Sequence, residues 1–433
     1  MWWLAPVLLA LLLATPAFGA SPLPAERYAL PDGAVLLVAE RPAIPIVAVR
    51  VYLPAGSAFD PPEAPGLANL TAEMLTRGTA RRTGPALDET IEFVGGSLDS
   101  QAGRDGTTVL LSVLKKNLSL GLDLLFEVLT EPSFPAGELP RKVKEIQAAI
   151  HRSEESPESV AGRALAEVLY PAHPYSHPVA GTVDSVGKLT RDQVVEFYRG
   201  HYRPDGAILV VAGDVKATQI RQEILRRLAP WQASRPALPR PPQAPGSPPV
   251  LSRAIARELT QSTILLGRPA VGHGHPDFYP LVVASYVLGG GSASRLYTRV
   301  REERGLAYDV SSHLAVGRYG ASFVVSLQTR TDGVAEAVRL VREEMARLGT
   351  EPVSAGELAL AKDYLIGSFA LRIDTTAKVA GLLQTVEEMG LGLDYPVRYR
   401  RGIEQVTAAD IERVAQRYLE PSGFSSVTVG KLP

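Results

Sequence analysis

The stretch "GLANLTAEMLTRGT", which runs from Gly66 to Thr79, has the apolar spacing of an amphipathic helix with a glycine near each end. Strand-like alternation precedes it at 34–56 and follows it at 96–117, with turn-forming residues inside each segment. Two further helical segments come next, at 118–132 and 136–156. Strands grouped with helices in this way predict an α+β fold, in which a curved, largely antiparallel sheet carries helices on one face.

A second set of elements repeats the first further along the chain. The segments "LTRDQVVEFYRGHYRPDGAILVVAGDV" and "VTAADIERVAQRYLEPSGFSSVTVGKL" each contain an N-capping Thr, a helix, a Pro-Gly break and an apolar strand. Four residues match at one constant offset: Thr190, Pro204, Gly206 and Gly213 correspond to Thr407, Pro421, Gly423 and Gly430. This match indicates a duplicated domain, with one copy at 21–230 and the other at 251–433. The proline-dense run at 231–250 is expected to be a semi-rigid linker between them.

The N-terminal run "MWWLAPVLLALLLATPAFGA" is apolar and ends in small residues, which predicts a signal peptide at 1–20. An N-terminal anchor helix is the alternative, although the run is short for a membrane span. We expect the mature chain to be periplasmic or secreted, without a stable membrane span. The formal net charge is −1, so no charge excess points to nucleic acid or to an anionic membrane. The chain has no cysteine, which excludes disulfides and thiolate ligands.

Positions 69–73 are where one class of zinc peptidase helix would carry His-x-x-Glu-His. Hydrolytic zinc needs three good donors and an open position for water, and two histidines four apart lie on one face of a helix. Here Asn69 and Glu73 stand at the two histidine positions, and Ala72 stands at the position of the general base. Asn offers only a weak neutral donor and Ala offers none, so this helix is not expected to hold zinc.

The residues around these positions resemble the pitrilysin/insulinase (M16) peptidase family, whose helix reads Gly-Leu-Ala-His-x-x-Glu-His-Met-Leu-x-x-Gly-Thr. The stretch from Gly66 to Thr79 follows that frame without a gap. The resemblance also implies a third zinc ligand, a Glu on a later helix, and Ala149 in "IQAAIHRSEESPES" stands at its position. Four positions are therefore vacated, namely Asn69, Ala72, Glu73 and Ala149, and no metal cofactor is expected on this chain.

The second half carries "LGGGSASRLYTRVREERGLAYDVSS" at 288–312, which is similar to the second-domain segment of the same family. The resemblance implies that an Arg and a Tyr project toward the zinc site of a facing domain and hold the substrate carbonyl and its developing oxyanion. The matching residues are Arg301 and Tyr308, and both are intact. A fixed cation and a neutral O–H donor suit that role. The alternative is that Arg301 is one charge on a solvated helix face and that Tyr308 packs at a strand start.

The resemblance further implies that the segment 95–113 pairs with a peptide substrate as an added β-strand. Such pairing needs only an open strand edge and backbone groups, so it does not depend on the metal. A plain edge strand shielded by Asp99, Arg104 and Asp105 agrees equally well with the sequence.

Vacated zinc positions together with an intact Arg301/Tyr308 pair predict a non-catalytic member of the family. Some bacterial members are heterodimers, in which one subunit carries zinc and the other contributes the Arg/Tyr pair. We expect this chain to be of the second kind, forming half of a clamshell that closes over a zinc-bearing M16 partner and its peptide substrate. One alternative is a peptide-binding or structural homologue, as in the core subunits of the respiratory cytochrome bc1 complex. The other is a zinc endopeptidase with an atypical ligand set, drawing on histidine pairs such as His173/His177 or His273/His275.

Overall fold

The computed structural model describes residues 23–231 and 240–431. The predicted signal peptide at 1–20 and part of the predicted linker, 232–239, lie outside the described residues. The remaining linker residues, 240–250, form neither helix nor strand. The domain boundaries chosen from the sequence stay a prediction.

The first half of the chain alternates between strands and helices. Its strands are β1 (Glu26–Ala29), β2 (Val35–Glu40), β3 (Ile46–Leu53), β4 (Ser97–Ala102), β5 (Thr107–Leu114) and β6 (Ile208–Gly213). Its helices are α1 (Leu67–Met74), α2 (Gly84–Phe93), α3 (Leu118–Thr130), α4 (Glu138–Glu155), α5 (Pro157–Leu169), α6 (Val183–Gly187), α7 (Arg191–His201) and α8 (Ala217–Leu228).

The second half repeats this plan with fewer elements. Its strands are β7 (Ser252–Ala256), β8 (Gln261–Pro269), β9 (Ala307–Val316), β10 (Ala321–Arg330) and β11 (Ser425–Gly430). Its helices are α9 (Phe278–Gly289), α10 (Val334–Leu348), α11 (Ala355–Phe369), α12 (Thr376–Glu388), α13 (Tyr395–Gln405) and α14 (Ala408–Tyr418).

The two sheets share the same order over five strands, and the first has β1 as an additional edge strand. The first has the order β1-β2-β6-β3-β5-β4 and the second β7-β11-β8-β10-β9. In each, the last strand of the half pairs in parallel with the strand near one edge, β6 with β2 and β11 with β7, while the other strand pairs are antiparallel. The α+β prediction with two homologous domains is confirmed, and β4 and β9 are the matching outer strands.

The matched residues of the repeat have the same local roles in both halves. Thr190 and Thr407 each cap a helix through a reciprocal capping box, at the start of α7 and α14. Those helices lead, through a Pro-Gly turn, into the central strands β6 and β11. The sequence repeat therefore reflects a repeated helix-turn-strand unit.

The helices that cover each sheet come from both halves of the chain. One face of the first sheet packs against helices of its own half, in a core that includes Val49, Leu70 and Leu125. The other face packs against α12 of the second half, and α5 of the first half packs in return on β8 and β11. The hydrogen bond from Gln384 on α12 to Thr108 on β5, 3.1 Å long, is part of this contact. This exchange of helices makes the halves interlock.

Within the described ranges, no helix has both the length and the apolarity that a membrane crossing requires.

Candidate functional site

Helix α1 begins at a position that only glycine suits. Gly66 has φ of 96°, and a Cβ there would lie 2.7 Å from the carbonyl oxygen of Ala180. The buried carboxylate of Asp60 accepts hydrogen bonds from the backbone N–H groups of Gly66 and Ala68, at 2.8 and 2.7 Å. Burial raises the pKa of Asp60 to about 7, against these two donors, which lower it. Helix α1 therefore starts where the sequence predicts. The carboxylate of Asp60, which holds this start, was not predicted from the sequence.

Around the vacated zinc positions on α1, the side chains of Asn69, Glu73 and Lys142 form a small polar network. The Asn69 side-chain Nδ2 donates to Glu73 Oε1 at 3.1 Å, so the two residues at the histidine positions bind each other. Ala72, at the position of the base, is fully buried. Helix α4 packs against α1, and its Lys142 Nζ lies 3.4 Å from Glu73 Oε2 and 2.6 Å from Glu145 Oε2. An ammonium group of the chain itself therefore partly neutralises Glu73.

Ala149 lies on the same helix α4, about two turns beyond Lys142, and it is exposed. Its methyl group offers no donor to a metal. The side chains at the four vacated positions therefore do not fit zinc, because the only carboxylate among them already binds Asn69 and Lys142. Across the part of the chain that the structure describes, no group of three His, Cys, Asp or Glu residues is placed to hold a metal ion.

The two histidine pairs considered as alternative ligands make structural contacts. His173 accepts from the backbone N–H of Tyr175 at 3.1 Å, and its Nε2 lies 2.9 Å from the carbonyl oxygen of Pro242. His275 accepts from the backbone N–H of Asp277 at 3.0 Å. His273 packs against the ring of Phe278. These contacts match turn and packing roles.

Arg301 and Tyr308 lie together on the second half. Arg301 is in a π-helical segment, Tyr297–Glu302, a backbone form that is rare and often found at functional sites. Its guanidinium carbon is 5.3 Å from the ring centroid of Tyr308, at the start of β9, and 4.7 Å from that of Tyr297. The Tyr308 side chain is 74% exposed. The sequence placed these two residues in one site, and the structure brings them into contact.

The arginines near Arg301 have carboxylate partners, and Arg301 has none among the described residues. Arg295 binds Glu357 at 2.7 Å, and Arg299 binds Glu303 at 2.7 Å. The Arg301 guanidinium instead lies against the two tyrosine rings. Within the described ranges, no side chain accepts a hydrogen bond from its N–H groups.

The chain does not join the Arg301/Tyr308 pair to its own vacated zinc positions. No hydrogen bond or ion pair within the described ranges connects either residue to α1 or α4. Each place lies beside the outer strand of its sheet, because α1 packs against β4 and the segment Tyr297–Glu302 packs against β9. By chain order, however, the counterpart of α1 in the second half is α9.

Lys142 is the residue near the vacated positions that the sequence analysis missed. A signal was present, because Lys142 and Ala149 are seven residues apart and such a spacing places both on one side of a helix. The family motif covers the ligand position at Ala149 and does not include the position of Lys142.

Comparisons with known proteins identify the family of the chain. Residues 35–183 match the family model "Insulinase (Peptidase family M16)", and residues 188–365 match the model "Peptidase M16 inactive domain". The uncharacterized zinc protease YmxG of Bacillus subtilis is 24% identical over 353 residues, covering 81% of this chain and 85% of the relative. An uncharacterized zinc protease of Mycobacterium bovis is 27% identical over 413 residues, covering 94% of this chain and 93% of the relative.

Solved structures agree with the sequence matches. A crystal structure of a peptidase M16 inactive domain from Pseudomonas fluorescens has a TM-score of 0.89 at 26% identity and covers 94% of this chain and 98% of its own. A protease from Helicobacter pylori has a TM-score of 0.87 at 19% identity, with 95% and 100% covered, which shows the shared fold. The chain belongs to the M16 (insulinase) peptidase family.

Proposed function

We propose that this chain is the non-catalytic subunit of a two-subunit M16 metalloendopeptidase. It pairs with a zinc-bearing M16 homologue and supplies Arg301 and Tyr308 to the peptide held at the partner's zinc site. The proposed location is the periplasm or the extracellular space, after removal of residues 1–20. In this assignment the zinc cofactor belongs to the partner, and the chain alone does not hydrolyse peptides.

The observation that carries this proposal is a difference in charge pairing. The carboxylate of Glu73 at the vacated zinc positions is paired within the chain, whereas the guanidinium of Arg301 is not paired with a carboxylate among the described residues. The Arg301 guanidinium has no carboxylate partner among the residues described, and Tyr308 beside it is 74% exposed. A peptide carbonyl gains negative charge at its oxygen during hydrolysis. A fixed cation and an O–H donor on one surface suit that oxygen, because both donate hydrogen bonds to it.

The vacated positions support the same division of labour. Glu73 binds Asn69 and Lys142, and Ala72 provides no base that could deprotonate a water molecule. The hydrolytic step must then come from another chain. A pair such as Arg301 and Tyr308 stabilises charge well only if it is positioned before the reaction, and the two ring contacts of the guanidinium support that positioning.

The test is to mix the purified chain with a zinc-bearing M16 homologue from the same organism and to follow cleavage of a quenched fluorescent peptide. We expect no cleavage by this chain alone, co-elution of the two chains in size-exclusion chromatography, and a rate that rises until the ratio is about one to one. If the homologue cleaves the peptide equally well at every ratio and elutes alone, the pairing is wrong.

A further inference from the structure

A small pocket lies in the first half, close to the start of α1. Its volume is roughly 230 Å³. The loop 178–181 forms one wall and also packs against α1, since Ala180 contacts Gly66. The polar side chains that line it belong to Arg104, Ser153, Ser159, Arg163, Ser176 and His177. We refer to it as the Arg104 pocket.

Arg104 is held at the end of the outer strand β4. It lies in the tight turn between β4 and β5, which the hydrogen bond from Gly103 N–H to Gly106 O, 2.7 Å long, closes. The backbone N–H of Ala58 donates to the Arg104 carbonyl oxygen at 2.8 Å and fixes the turn from outside. The guanidinium carbon lies 5.4 Å from the ring centroid of Tyr175. Arg104 is therefore an exposed cation on a fixed backbone.

The Arg104 pocket contains the positive charge of Arg104, which has no carboxylate partner in the described structure. Its lining includes Arg104 and Arg163 but no Asp or Glu. Arg163 is paired with Glu154 at 3.1 Å, whereas no carboxylate binds Arg104 among the described residues. Asp105, next in the chain, accepts from the backbone N–H of Arg318 at 2.8 Å and from the Tyr175 hydroxyl. Asp105 therefore contributes to the contact between the halves and does not shield the strand edge.

The remaining polar groups of the pocket suit an anion. Two of its three serine hydroxyls, those of Ser159 and Ser176, are able to donate hydrogen bonds, whereas Ser153 donates to the Ile150 carbonyl oxygen at 2.7 Å. Burial, and then the positive charge of Arg104, hold the pKa of His177 below its usual value, so this histidine is neutral near pH 7. A planar guanidinium with free N–H groups, surrounded by hydroxyl donors, has the chemistry that recognises a carboxylate.

The outer edge of β4 leads to this pocket. No strand pairs with that edge in the described part of the chain, so its outward backbone groups are open to an added strand. Arg104 is two residues beyond Ala102, where β4 ends, and a strand advances about 3.3 Å per residue. An extended peptide on β4 would therefore pass within reach of Arg104.

We propose that the Arg104 pocket binds a carboxylate of an extended peptide that lies along the outer edge of β4. The first half would then anchor peptides although its zinc positions are vacated. The carboxylate is either the peptide's C-terminus or an Asp or Glu side chain, since both offer the same two oxygens. The inference does not rest on a partner subunit, because every residue of the pocket belongs to this chain.

The experiment measures binding to the purified chain by fluorescence anisotropy, with a dye at the N-terminus of an extended Ser/Val octapeptide. Three forms of the peptide are compared: a free C-terminal carboxylate, a C-terminal amide, and an amide with Asp as the last residue. The free acid or the Asp-containing amide, whichever source is used, should bind at least about tenfold more tightly than the neutral amide.

The variant Arg104→Gln should remove this preference, and Arg104→Lys should keep part of it, because Lys retains the charge without the planar fork. Arg152→Gln is the matched control, since Arg152 is an exposed arginine on α4 that does not line the pocket. Equal binding of all three peptides, no binding of any of them at 1 mM as a rough upper limit, or equal effects of the Arg104 and Arg152 variants would overturn the inference. Because no partner is present, this result is independent of the pairing experiment.

Discussion

The two halves place corresponding elements in the same positions but use their charges differently. Beside β4, the position of a zinc ligand holds Glu73, which Lys142 and Asn69 neutralise within the chain. Beside β9, Arg301 stays without a carboxylate partner among the described residues and faces an exposed Tyr308. The same elements thus lie beside a paired carboxylate in one half and beside an arginine without a carboxylate partner in the other. A shared fold therefore does not determine how the charges on its two copies are paired.

Restoring the zinc ligands should have the largest effect. The four changes Asn69→His, Ala72→Glu, Glu73→His and Ala149→Glu rebuild the family motif on helices α1 and α4, which still pack together. We expect bound zinc to rise from near zero to about one equivalent per chain, measured by inductively coupled plasma mass spectrometry after dialysis. A control that leaves Ala149 in place should bind zinc much more weakly. A folded fourfold variant without zinc would show that the helices no longer hold the family's geometry.

Replacing Asp60 should change how stability depends on pH. Its pKa is about 7 in the folded chain, above the usual value near 3.8, so the folded state binds the extra proton between these values. The stability from this group is present below about pH 4 and is lost as the pH rises through 7, an effect on the order of 2–4 kcal/mol. Asp60→Asn should flatten this part of the profile in urea unfolding between pH 4 and 8. Parallel profiles of both proteins would contradict the assignment.

Removing the hydroxyl group of Tyr308 tests the proposed substrate contact in the second half. Tyr308→Phe keeps the ring that contacts Arg301 but loses the O–H donor, so kcat of the mixed peptidase should fall by about tenfold or more. Tyr297→Phe is the control, because that ring also contacts Arg301 and its hydroxyl has no proposed role. Equal rates for the two variants would remove Tyr308 from the substrate contact.

The salt bridge at the vacated positions should have the smallest effect. Glu73 and Lys142 are partly exposed and 3.4 Å apart, and such pairs contribute about 0–1 kcal/mol. A double-mutant cycle with Glu73→Gln and Lys142→Met should therefore give a coupling energy below about 1 kcal/mol in urea unfolding. A coupling energy of several kcal/mol would contradict this expectation, because the pair of Glu73 and Lys142 would then contribute substantially to holding α1 against α4.

Much of the fold follows from local patterns in the sequence. The repeat that includes Thr190 and Thr407 predicted the duplicated unit, because capping residues and Pro-Gly breaks act through neighbouring backbone groups. The helix that begins after Gly66 was predicted from its apolar spacing, and the strands at 96–117 from their alternation and Gly/Asp turns. The role of 95–113 as an open strand edge was implied only by the family resemblance. The exchange of α5 and α12 between the halves was not predicted, since an apolar helix face does not state which sheet it covers.

The candidate site was predictable only in part. Sequence identified Arg301 and Tyr308, and the structure adds that Arg301 lacks a carboxylate partner among the described residues. The lack of a partner for Arg301 depends on where the nearby carboxylates point in three dimensions. The carboxylate of Glu357, for example, binds Arg295. Lys142 and the Arg104 pocket likewise depend on contacts between distant segments, which no local pattern encodes.

The most direct test of the central claim is the effect of Arg301→Ala on kcat/KM of the chain mixed with its zinc-bearing partner. Arg304→Ala is the matched control, because Arg304 is an exposed arginine in the turn just after the segment Tyr297–Glu302, and the carboxylate of Glu336 is 4.0 Å from it. We expect Arg301→Ala to lower kcat/KM by about 100-fold while the two chains still co-elute, and Arg304→Ala to leave it near the wild-type value. If the Arg301 variant supports the wild-type rate, the chain does not act on the partner's substrate through this pair.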